Sequence, residues 1–231
     1  MVGQLQHPLP SRSGEDEIRD WLSQVCNYLD KTELSELTIG LFTLRSLSEN
    51  LRGRNPDGIL TNEDFKKGLL IVNILAELGS TKDVLLAGLL YSLAHSRILE
   101  ASAINDFFGA DIESLVSGVL RMTAVSEYGR SGDEPILGQV HTPKDNVRQM
   151  LVAIIDDVRI AMIKLAERTV VMRGLKSCPP EVQVLASQEV FDVYAPLADR
   201  LGIGHLKWEL EDLSFRYSQP DDYHKVARLL D

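Results

Sequence analysis

Tyr194–Tyr217, YAPLADRLGIGHLKWELEDLSFRY, is the stretch that decides the fold class. Leu201 and Ile203 flank Gly202, and Gly204 follows, so one helix ends here and the next starts near His205. Leu206, Leu210, Leu213 and Tyr217 then recur at steps of three and four, which lines one side of a helix. Trp208 stands off that stripe, and Glu209, Glu211 and Asp212 fill polar positions. The residues alone describe a helix–turn–helix with a large aromatic side chain and nothing catalytic.

The same periodicity extends upstream. Asp16 to Leu29 places Ile18, Trp21, Leu22, Val25 and Leu29 at helical steps, and Leu34 to Leu51 does so with Leu37, Leu41, Leu44, Leu47 and Leu51. Residues 53–60 form a turn-rich break. Thr61 and Asp64 have the spacing of a capping box, opening a helix that Gly79 stops. From Thr81 a helix rich in leucine (Leu85, Leu86, Leu89, Leu90, Leu93) reads as central, followed by helices at Ser102–Phe108 and Ile112–Met122. Glycines and prolines make 129–143 a loop. An amphipathic helix runs from Asp145 past Val158, continuing or restarting through Ile160 to Leu175. Cys178, Pro179 and Pro180 end it, Glu181–Leu197 is the next helix, and a last one starts at Pro220. No segment alternates as a strand would, so the chain is expected to be all-α, with about ten helices behind a polar lead-in at residues 1–14.

Composition narrows the function classes. The 231 residues can bury a substantial core, and 44% hydrophobic with 25% charged residues is ordinary for a globular protein. A net charge of −10 argues against a surface that grips a phosphate backbone over its whole length, so no direct nucleic-acid contact is expected. Cys26 and Cys178 form no CxxC or Cys/His cluster and are read as two free thiols of a cytoplasmic protein. No apolar run is long enough to span a membrane, and the N-terminus lacks a signal-peptide core.

The opening stretch resembles the signature that follows the hydrolase domain in the RelA/SpoT family, approximately IYAPLAxRLGIxxxKWELEDLxFxY. Lys164–Arg173, KLAERTVVMR, resembles that family's KLADRLHNMR, and Asp145–Met150, DNVRQM, also fits. The resemblance implies an HD-type bundle at residues 15–190, followed by a helical linker at 191–231. Tyr194, Pro196, Arg200, Lys207, Trp208, Glu209, Glu211 and Asp212 would be the interdomain signature, with Trp208 anchored on a following domain or on the previous helix. The last helix reaches Asp231 without a cap, and the family pattern implies continuation into a synthetase domain that uses Mg²⁺. The family's HD domain removes a 3′-diphosphate from guanosine tetra- or pentaphosphate with a divalent ion held by imidazole and carboxylate ligands.

Those ligands are replaced here. Where active members read LLHDVVEDT, this chain reads LLYSLAHSR from Leu89 to Arg97. Tyr91 and Ser92 take the His-Asp position, and His95 and Ser96 the Glu-Asp position. The earlier His-Pro aligns with Lys67-Gly68. Glu167 stands for the last ligating Asp, and Val170 and Val171 for a His-Asn pair. A phenol and a neutral hydroxyl do not replace an imidazole and a carboxylate around a hard cation. The pattern is that of a degenerate hydrolase domain with no catalytic residue, no metal and no cofactor of its own. It matches a RelA-like (p)ppGpp synthetase, a GTP pyrophosphokinase, whose partners would be its own synthetase domain and, through other regions, the ribosome and uncharged tRNA. Two rivals stay open. One is an active hydrolase with atypical ligands, for example His95 and Glu167 with another group. The other is a helical protein-interaction module. Lys164, Arg168 and Arg173 form a basic stripe that either binds a nucleotide phosphate or pairs locally with Glu167.

Overall fold

A computed structural model describes residues 9, 15–50, 63–97, 99–130 and 157–230. The described residues are helical, with no strand among them. The expected lead-in except Leu9, the Thr61 cap, most of the 129–143 loop, the helix from Asp145 to residue 156, and His7 and His141 lie outside the described residues. The chain divides into two compact units. Of the described residues, those up to Ala124 and 157–163 form the first, and 125–130 and 164–230 the second.

In the first unit, α1 (Glu15–Val25) and α2 (Lys31–Asn50) precede α3 (Glu63–Glu77) and α4 (Lys82–His95). Ile18, Trp21, Leu22 and Val25 on α1, and Leu37, Leu41 and Leu44 on α2, are buried as their spacing requires, but α1 ends at Val25, and Leu29, expected on the same helix, lies half-buried in a bend beyond it. The leucines of α4 are all buried, and α4 packs on both α2 and α3. Two glycines bring α3 and α4 together. A Cβ at Gly68 would lie 2.7 Å from Leu89 Cδ1, and one at Gly88 would lie 2.6 Å from Leu75 Cδ1. Helix α3 ends in a left-handed turn at Gly79 (φ 66°), where Ser80 N donates to Leu75 O and Gly79 N to Ala76 O.

Helices α5 (Ala101–Phe108) and α6 (Ala110–Arg130) follow. Helix α6 is longer than the sequence expectation of Ile112–Met122 and takes in Gly129 and Arg130, assigned above to a loop. Nothing between Thr123 and Tyr128 stops a helix, and a single interior glycine lowers helix stability by only about 1 kcal/mol without breaking it. Helix α7 (Val158–Gly174) opens in this unit. Asp157 accepts from Arg159 N at 2.9 Å and from Arg159 Nη2 at 2.6 Å, so it caps this helix end.

In the second unit, the rest of α7 runs into a 3₁₀ turn at Leu175–Ser177. Gln183 Nε2 ties this bend down by donating to Leu175 O and Cys178 O. Pro180 opens α8 (Pro180–Glu189), a position where its missing N–H costs nothing. Between α8 and α9 (Ala195–Arg200) the helix does not break. It widens into one π turn at Val190–Tyr194, and residue 190, the expected domain boundary, lies in this continuous helix. The turn at Gly202 (φ 72°) is closed by Ile203 N to Ala198 O and Gly202 N to Asp199 O, the double bond pattern that only a left-handed residue completes. Helix α10 (Gly204–Ser218) buries Leu206, Leu210, Leu213 and Tyr217 against α8, the π turn and α9. Helix α11 (Pro220–Leu230) packs on α10.

Candidate functional site

The positions singled out in the sequence fall into two sets, one in each unit. In the first unit, α4 carries Tyr91, 1% exposed, and Ser92, 3% exposed. The Tyr91 hydroxyl lies 2.8 Å from Thr123 Oγ1 on α6, and Thr123 Oγ1 donates to Val119 O at 2.9 Å. A hydroxyl has one proton to give, so Tyr91 is the donor to Thr123. Ser92 Oγ is buried with no hydrogen-bond partner among the described residues. His95 lies one turn on and is exposed, its ring 5.7 Å from that of Tyr91. Ser96 forms the exposed C-cap of α4, and Lys67 is half-buried on α3.

In the second unit, α7 carries the other set. Lys164 Nζ donates to Glu167 Oε2 at 2.8 Å, and the two side chains are 0% and 6% exposed. Burial pulls the Lys164 pKa down, and the Glu167 charge opposes that pull. Arg168, also buried, sits 3.3 Å from Glu189 and places its guanidinium 4.7 Å from the centre of the Tyr194 ring. Burial opposes its charge, but Tyr194, Glu167 and Glu189 outweigh burial and raise its pKa. Arg173 forks onto Glu209, with Nε 2.6 Å from Oε1 and Nη2 2.9 Å from Oε2. The basic stripe is thus engaged with three carboxylates of its own unit. Val170 is buried and Val171 half-buried.

The signature residues follow from this. Tyr194 and Glu209 are held by α7. Lys207 donates to Asp199 across the Gly202 turn at 2.8 Å, and Asp212 accepts from Tyr223 at 3.4 Å. Glu211 is half-buried, and Pro196 and Arg200 are exposed. Trp208 is 71% exposed. It therefore does not anchor on the previous helix, because it stands off the stripe that α10 buries. His205 and His224 are exposed, and burial pushes the Cys26 thiol up to about 12.

A divalent ion of the kind used by HD hydrolases needs carboxylates and imidazoles that converge. Among the described residues no group of three or more His, Cys, Asp or Glu does so. The residues at the family's ligand positions do not fit the ion. One is a buried phenol donating its proton, its neighbour is a neutral hydroxyl, and the carboxylate at Glu167 faces an ammonium. Sequence reasoning missed Thr123, Glu189 and the tie from Arg173 to Glu209. These contacts span 32, 21 and 36 positions respectively (Tyr91 to Thr123, Arg168 to Glu189, Arg173 to Glu209), and local spacing carries no signal for them.

The HD domain family matches residues 57–204. The chain is 40% identical over 164 residues to the GTP pyrophosphokinase of Escherichia coli, covering 71% of this chain and 22% of that protein. It is 42% identical over 167 residues to the GTP pyrophosphokinase of Haemophilus influenzae, covering 72% and 22%. It is 36% identical over 160 residues to a Synechocystis protein named "Probable guanosine-3′,5′-bis(diphosphate) 3′-pyrophosphohydrolase", covering 69% and 20%. These matches span 22% or less of the relatives' own length. The helical architecture and the likeness to the HD domain family define an HD-type domain. The chain belongs to the RelA/SpoT family of HD-domain proteins. No helix among the described residues is long and apolar enough to cross a membrane.

Proposed function

We propose that this chain is a catalytically inactive, regulatory HD domain of a RelA-like (p)ppGpp synthetase acting in the cytoplasm. The observation that carries the reading is the buried Lys164–Glu167 pair, 2.8 Å long, at the position of the family's last ligating carboxylate. With Tyr91 and Ser92 in place of a His-Asp pair, no anionic ligand set remains among the described residues to hold a hydrolytic ion. Two relatives named GTP pyrophosphokinase support the synthetase branch. In that reading the parent enzyme transfers pyrophosphate from ATP to the 3′-hydroxyl of GTP or GDP, using Mg²⁺ in another domain. This domain biases the synthetase through its signature helices, and ribosome and uncharged tRNA are sensed elsewhere.

The Synechocystis relative named as a hydrolase favours a second reading, an active pyrophosphohydrolase with an atypical ligand set. The two separate on one experiment, titration with Mn²⁺ in the presence of ppGpp with assay of released pyrophosphate. The regulatory reading expects neither binding nor release. Stoichiometric Mn²⁺ binding with turnover installs the hydrolase in its place.

A further inference from the structure

Glu189 and Tyr194 bracket the π turn of the second unit. Glu189 immediately precedes it and Tyr194 is its last residue. The Tyr194 hydroxyl donates to Glu189 Oε1 at 3.3 Å, a bond between residues five apart. In an α-helix residues five apart point about 140° away from each other, at about 100° per residue. A π turn closes i→i+5 bonds and brings such residues above one another. The backbone agrees, since Ala195 N donates to Val190 O, five residues back. Arg168 grips both ends of the pair. Its Nη1 lies 3.3 Å from Glu189, its Nη2 donates to the Tyr194 hydroxyl at 3.4 Å, and its guanidinium stacks on the Tyr194 ring. Tyr194 is 0% exposed and Arg168 3%. Pro196 follows and has no N–H of its own to give to an α-helical ladder.

We infer that Arg168 is a positioning residue that locks this helix in its π register, by clamping Glu189 and Tyr194 in an arrangement an α-helix cannot offer. The register has a consequence downstream. One residue more or less in a helix is a rotation of about 100°. The π turn therefore sets the direction in which α9, the Gly202 turn and the exposed Trp208 face. Whatever loosens the Arg168 clamp releases this rotation, and whatever tightens it holds the rotation fixed. The inference stands on geometry within the second unit and is independent of whether the domain hydrolyses ppGpp.

The test is amide hydrogen exchange on the whole chain, read at residues 190–195 against Leu210 and Leu213 as internal references. Arg168→Lys keeps the charge but removes the planar fork and the stacking surface. Exchange at Ala195 should rise about tenfold or more while the reference amides stay unchanged. Deleting Asp192, which is exposed, removes the extra residue and makes the helix regular. In that background Arg168→Lys should add no further change, because no π register remains to lock. Unchanged exchange at 190–195 in Arg168→Lys overturns the inference. So do additive effects of the deletion and the substitution. If Arg168→Lys fails to fold, Glu189→Gln decides by the same measurement, since it leaves Arg168 in place and weakens only the clamp.

Discussion

Lys164→Met keeps most of the side-chain stem and removes the ammonium. In the folded chain, Glu167 then loses its 2.8 Å partner where the two side chains were 0% and 6% exposed. Deleting one member of a buried ion pair costs about 3–5 kcal/mol, because water cannot reach the charge left behind. Arg168 is the adjacent buried cation and also acts on Glu167, which puts the expected loss at the lower end of that range. For a chain of this length each kcal/mol moves Tm by about 2–4 °C, so a fall of about 6–12 °C is expected from a loss of about 3 kcal/mol. Replacing both partners, Lys164→Met with Glu167→Leu, removes the stranded charge. Such exchanges are often neutral or stabilising by about 1–4 kcal/mol, so the double variant should recover most of the loss. Thermal unfolding followed by far-UV circular dichroism reads both. A loss below about 1 kcal/mol in the single variant, or a double variant no better than the single, refutes the claim that these residues act as a buried pair.

Further outcomes follow from the packing and the caps. Gly68→Ala adds a Cβ 2.7 Å from Leu89 Cδ1 and 3.1 Å from the Leu89 backbone oxygen. The backbone atom cannot yield, so overpacking of about 1–3 kcal/mol should outweigh the gain of about 1 kcal/mol in helix propensity. A rise in the denaturant midpoint would contradict the close approach of α3 and α4. Asp157→Ala removes the cap of α7 and should cost about 0.5–2 kcal/mol by urea unfolding. The Arg159 guanidinium holds the Asp157 carboxyl below its ordinary pKa of 3.8. Its contribution is therefore complete above that ordinary value and is lost as pH falls through the lower folded-state pKa. The difference in stability between Asp157→Ala and the parent chain should accordingly shrink in strong acid, and a difference that grows as pH falls would show the opposite linkage.

The fold was legible wherever apolar residues recur at three and four. Ile18, Trp21, Leu22 and Val25 of α1, Leu37, Leu41 and Leu44 of α2, and the stripes of α4 and α10 lie in the core as their spacing requires, and the stops at Gly79 and Gly202 fall where a left-handed residue is needed. Two features were not legible. Helix α6 outran its expected end because its glycines lower propensity without supplying a stop. The π turn at 190–194 left no periodic signature, because its cause is a set of contacts from Arg168, more than twenty positions away. In the candidate site, residue identities at 91, 92 and 167 were readable, but their partners were not. Tyr91 finds Thr123 on another helix and Arg173 finds Glu209, and only folding brings those pairs together. The pairing of Lys164 with Glu167 was open to sequence reasoning because it spans a single helical turn. Of the two anchors the sequence left open for Trp208, its position off the buried stripe, 71% exposed, removes only the previous helix.

In the proposed reading, the family's metal positions in this chain are closed to a hydrolytic ion. Isothermal titration of the chain with Mn²⁺, alone and with ppGpp, followed by assay of released pyrophosphate, decides whether they are. Closed positions should give no stoichiometric Mn²⁺ binding and no pyrophosphate. Binding of one Mn²⁺ per chain with steady release of pyrophosphate would contradict that reading.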